Sequence, residues 1–203
     1  MPVLDGLLRM PANLMHEVAR SPAVLAKLLA VLLVGMLVTG AFVGGFAGGF
    51  QLLAVPLKLA LGMVFCSLIC LPSLHVLACL AGAEVRVQQT AGALLAGAAL
   101  TAVLLVGFAP VSWVFSQATD AAAVVGGLHI VFLIISAHFG LRLTRRALAD
   151  AAGRGIPALG LWSLVFMLVL FQMSTTLRPL LGDYDGLALA PKAFFLAHWL
   201  GLG

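Results

Sequence analysis

Along this chain, long apolar stretches are separated by short breaks rich in charge, glycine or proline. Crossing a hydrocarbon core of about 30 Å takes about twenty apolar residues. Runs of about that length occupy Val24–Val43, Leu59–Leu80, Ala91–Phe108, Val124–Leu143 and Leu159–Leu177. Their apolar character is continuous, not alternating. They therefore predict helices, which satisfy their own backbone groups in lipid, and not the strands of a barrel. Gly44-Gly45-Phe46-Ala47-Gly48-Gly49, Pro110, Gly126-Gly127 and the stretch from Gly153 to Pro157 predict the breaks. The expected fold is all-α: a polytopic membrane bundle of five transmembrane helices.

The charged positions then orient the bundle. With the N-terminus in the cytoplasm, the inner segments hold Arg9, Arg20, Lys27, Arg86, Arg142, Arg145, Arg146 and Arg154, and the outer ones Lys58, Arg178 and Lys192. Eight basic residues against three predict a cytoplasmic N-terminus and an outside C-terminus, because basic residues are retained on the cytoplasmic face. Residues 1–23 predict an interfacial amphipathic segment. Leu4, Leu7, Leu8, Leu14, Met15 and Val18 form its apolar stripe, and Arg9, His16, Glu17 and Arg20 face the headgroups. Residues 24–181 form the bundle. Residues 182–203 are a tail whose Phe194, Phe195 and Trp199 suit an aromatic interfacial anchor.

Composition narrows the function classes. Apolar residues make up 63% of the chain and charged residues 9%, with a mean hydropathy of +1.18. The net charge of +4 is explained by orientation in a bilayer, and no nucleic-acid surface is expected. Cys66, Cys70 and Cys79 form neither a disulfide framework nor a CxxC motif. Packing is the expected role of these thiols, and Cys79, near the cytoplasmic boundary, is also placed for lipidation. There is no P-loop, HExxH or DxxD-type metal pair, so no enzyme, metal or cofactor is expected.

A few polar residues inside the spans are candidates for function. His75 and His138 fall at similar predicted depth and form a candidate intramembrane polar pair. Histidines at such depth serve as relays, as ligands or as hydrogen-bonding glue between helices. Haem held between the two is a third reading, checked by a Soret band. His129 lies half a turn out of phase with His138 and cannot share a site with it. Pro72, inside the second span, is a candidate hinge because it removes a helix bond and displaces the Leu68 carbonyl. Lys58, Gln172, Thr176 and Arg178 form an outer polar cluster.

Lys58-Leu59 leading into Leu68-Ile69-Cys70-Leu71-Pro72-Ser73-Leu74 resembles the second span of a bacterial group in the Yip (Ypt/Rab-interacting protein) superfamily. Phe108-Ala109-Pro110-Val111, Gly140-Leu141-Arg142, and Gln172 with Thr176-Leu177-Arg178-Pro179 follow in the order of that group. The resemblance runs from about Ser21 to Gly182. It implies a five-helix protein with a cytoplasmic N-terminus that organises membranes without catalysis. The chain departs from the group at His75, where an aromatic residue is usual, at Thr175, where tryptophan is usual, and after Gly182.

The expected function is that of a non-enzymatic bacterial inner-membrane protein. It would act as an organiser or accessory subunit through helix–helix contacts, its partners being the bilayer and other membrane subunits or further copies of itself. The alternative is a small oligomeric channel or transporter with a route near Pro72, His75 and His138.

Overall fold

A computed structural model describes residues 21–47, 51–118, 122–153 and 155–176. Residues 1–20 of the expected interfacial segment, the whole tail and Arg178 lie outside the described residues. Among the described residues there are five helices: α1 Pro22–Ala47, α2 Gln51–Leu80, α3 Val87–Ala118, α4 Ala122–Ala152 and α5 Ala158–Thr176. No strand occurs among the described residues. The first four helices are long and apolar enough to cross a membrane, and α5 is a shorter apolar helix.

Local chemistry accounts for the helix ends. Ser21 Oγ accepts the Ala23 N–H at 3.3 Å, and Pro22, with no N–H to lose, opens α1. The end of α2 is a Schellman turn: Gly82, at φ 82°, donates to the Cys79 carbonyl at 2.9 Å, and Ala83 to that of Ala78 at 3.0 Å. The positive φ is open to glycine without a Cβ clash. At the start of α3, Gln89 Oε1 reaches back to accept the Arg86 N–H at 2.8 Å, the return half of a capping box.

The helices overrun the expected spans. Helix α2 starts eight residues before Leu59, α3 continues ten past Phe108, and α4 nine past Leu143. Pro110 therefore lies inside α3 instead of breaking it, and Gly126-Gly127 lie inside α4. Hydropathy marks where hydrocarbon ends, whereas the helix runs on into the interface until a cap stops it.

Helix α3 is central, packing on α1, α4 and α2; α2 in turn packs on α1 and α5. The closest seam is α3·α4. Gly97-x-x-x-Thr101 on α3 faces Gly140-x-x-x-Thr144 on α4, antiparallel. A Cβ on Gly97 would overlap Thr144 Oγ1 and the Gly140 carbonyl; one on Gly140 would overlap Thr101 Oγ1 and the Gly97 carbonyl. Each threonine donates to the glycine carbonyl one turn back, Thr101 at 3.0 Å and Thr144 at 3.2 Å. Each also lies near a carbonyl of the opposite helix, Thr144 Oγ1 at 3.2 Å from Ala93 O and Thr101 Oγ1 at 3.4 Å from Ser136 O. Small residues bring the backbones together, and the hydroxyls bridge them. The α1·α2 crossing is similar: a side chain at Gly40 would run into the Pro56 ring and backbone.

Helix α5 is held chiefly by α2. Trp162 Nε1 donates to Ser73 Oγ at 3.1 Å, and Cys66 Sγ lies 3.8 Å from the Phe166 carbonyl. The Ser73 hydroxyl donates to Cys70 O at 2.9 Å and Ser67 to Met63 O at 2.8 Å. Both bonds thus go to carbonyls other than that of Leu68, which Pro72 displaces.

Candidate functional site

Two groups of polar side chains stand out against the apolar bundle, one at each end. At the end carrying the α1–α2 and α3–α4 connections, a chamber of about 30 Å³ is lined by all five helices. Met36 comes from α1, Lys58 and Met63 from α2, Leu105 from α3, His129 from α4, and Met173 from α5. Lys58 and His129 are its polar groups. His129 Nε2 is buried and has no hydrogen-bond partner. A water needs about 10–15 Å³ of such space, so the chamber has room for about two waters.

The opposite end holds a tighter constellation. His75 Nδ1 lies 3.0 Å from Thr90 Oγ1, joining α2 to the first turn of α3. Cys79, one turn after His75, has its sulfur 3.8 Å from His75 Nε2 and 4.0 Å from Nδ1. Thr90 is fully buried, His75 half-buried and Cys79 exposed. Thr90 Oγ1 also reaches the Arg86 carbonyl at 3.5 Å.

The residues picked out from sequence are distributed as follows. His75 and His138 lie on α2 and α4, helices that share no extensive packing. His75 is taken up by Thr90 and Cys79. His138 is exposed on the outside of the bundle, its ring edge-on to Phe139 at 5.8 Å. Pro72 is likewise exposed, within an uninterrupted α2. Lys58 and Gln172 are half-buried. Lys58 shares the chamber with Met173, which places the Gln172 position at the same end. Thr176 is the last residue of α5.

His129 and Thr90 were not foreseen as site residues. His129 was legible as an ionisable residue inside an apolar run, the same signal that marked His75. Thr90 gave none, because only the fold of the α2–α3 turn brings it to His75. Among the described residues no group of three or more His, Cys, Asp or Glu side chains is placed to hold a metal.

The outer surface defines the class of protein. Leu53 (73% exposed), Leu161 (69%) and Leu164 (67%) are representative of large apolar side chains turned outward on the helices. Such a surface is solvated by lipid and not by water. The chain is an integral membrane protein, helical throughout its described spans. No protein-family model matches it, no curated protein matches it, and no solved structure matches it.

Proposed function

We propose that this protein spans the membrane five times, with its N-terminus in the cytoplasm, and works without catalysis as an organiser or accessory subunit. Helix α5, with 19 residues, measures about 28 Å at 1.5 Å per residue, enough to cross when its ends reach the interface. The resemblance to the bacterial Yip-like group and the inner-membrane location belong to the same reading.

The observation that carries it is the outward face of α4. The glycines of the closest seams are spent inside the bundle, so they are not what a partner meets. On α4, by contrast, Val131, Ile135, His138, Arg142 and Arg146 are all exposed at helical spacing. His138 lies one turn, about 6 Å, deeper than Arg142. A polar ring presented to lipid at that depth gains by meeting a hydrogen-bonding group on another transmembrane helix.

The test is photo-crosslinking in intact membranes from single positions on this face. A crosslinker at Ile135 is expected to give one discrete adduct, identified by mass spectrometry as a second membrane protein or a second copy. His138→Leu should reduce that adduct at least several-fold, while a crosslinker at Leu53 on α2 gives only lipid. Lipid adducts alone from Ile135 would end the reading.

The chamber supports a second reading, a small channel or transporter. Its walls come from every helix and hold Lys58 and His129, whereas Pro72 and His138 face outward. Flux in liposomes that changes with His129→Leu would favour it.

A further inference from the structure

We propose that Cys79 is an acyl-acceptor site: its thiol, activated by His75 under the control of Thr90, is esterified by a long-chain acyl thioester. The function proposed above does not use this constellation, and the inference stands apart from it.

The three side chains have the order of a nucleophile, a base and an orienting group. The Thr90 hydroxyl directs its proton to the Arg86 carbonyl at 3.5 Å. With its proton so directed, Thr90 Oγ1 accepts from His75 Nδ1 at 3.0 Å, the tautomer that the proposal uses. In that tautomer Nε2 keeps the lone pair; Cys79 Sγ lies beside the ring, 3.8 Å from Nε2 and 4.0 Å from Nδ1, and the exposed thiol has to rotate to meet Nε2 in line. Contacts of this kind are often long before substrate binds and shorten in the reacting complex. Cys66 and Cys70 are buried in the bundle, and only Cys79 is exposed.

The surroundings select the substrate class. Cys79 stands in the last turn of α2, beside the polar α2–α3 connection, where an amphiphile's head and tail part. From it an exposed apolar stripe runs along α2 through Val76, Pro72, Ile69 and Phe65. The stripe is fourteen residues long, about 21 Å at 1.5 Å per residue. An acyl chain fixed at Cys79 lies along it without leaving the hydrocarbon, and it adds a lipid anchor at the interface.

The reaction is a thioester exchange. His75 Nε2 takes the Cys79 proton, and the sulfur attacks the acyl carbonyl carbon. The new C–S bond forms as the bond to the carrier's sulfur breaks, and His75 returns the proton to the departing thiolate. Nothing is oxidised or reduced, and His75 is regenerated.

The test uses the full chain in liposomes with palmitoyl-CoA as the probe, followed by intact mass and peptide mapping. One hydroxylamine-sensitive palmitoyl group per chain is expected, on Cys79, and Cys79→Ser should abolish it. His75→Gln retains a donor for Thr90 but offers no basic nitrogen and should slow acylation at least tenfold. Thr90→Val should slow it several-fold, and alkylation of Cys79 by iodoacetamide should fall in parallel. Unmodified wild-type protein, equal modification of Cys66 or Cys70, or a His75→Gln rate equal to wild type would each overturn the proposal. If His75→Gln does not elute as a folded particle, the wild-type alkylation rate decides: Cys79 must exceed by tenfold a cysteine placed at the exposed, histidine-free position Leu80.

Discussion

Gly140→Leu is expected to leave no folded particle after detergent extraction, the largest effect of any single substitution in the bundle. The side chain would enter space held by Thr101 and the Gly97 carbonyl, which is helix backbone and cannot turn aside as a side chain could. Gly140→Ala and Gly97→Ala are the milder forms. Each should destabilise by about 1–3 kcal/mol, the usual range for an overpacked core. Gly107→Ala is the control. Gly107 is exposed and an added Cβ there meets nothing within 4 Å, so the better helix propensity of alanine should raise stability by up to about 1 kcal/mol. Opposite signs at Gly97 and Gly107, two glycines of one helix, are read as shifts in Tm. Equal signs would show that α3 and α4 are not in close contact.

His129→Leu is expected to stabilise the protein, which is unusual for a substitution of a buried residue. His129 Nε2 is buried without a partner, and an unsatisfied buried polar atom costs about 1–3 kcal/mol. An apolar side chain removes that cost and suits the leucine and methionine walls of the chamber. The expected result is a higher Tm, checked by thermal unfolding in detergent. A lower Tm would show that His129 is satisfied through water held in the chamber.

The sequence made the class of fold legible because lipid imposes a simple rule, and every apolar run of about twenty residues became a helix. Helix ends were less legible. The extra turns of α4 end at Gly153, at φ 65°, those of α2 precede Leu59, and α3 runs on through Pro110, which in the sequence suggests a break. The α3·α4 seam was half visible: the small residues of α3 were recognised, but not their match to Gly140 and Thr144. That match depends on the register of two antiparallel helices, which no single-helix pattern contains. The site residues show the same limit. Depth along a span can be counted, and it sets Lys58 and Gln172 at one end. Direction around the helix cannot, because α2 and α3 are apolar on all sides. His138 therefore turned out to face outward and His75 to face Thr90.

The attachment of α5 to α2 has a consequence for biogenesis. Helices emerge into the membrane in chain order, and α1 to α4 can already make their mutual seams when α5 is still to come. Until it arrives, α2 presents an uncovered strip, with the Ser73 hydroxyl lacking its indole donor and Cys66 facing lipid. The nascent protein thus passes through a four-helix stage with an open lateral flank. Insertion machinery that guards unfinished bundles would be expected to hold it there, releasing it as Trp162 reaches Ser73.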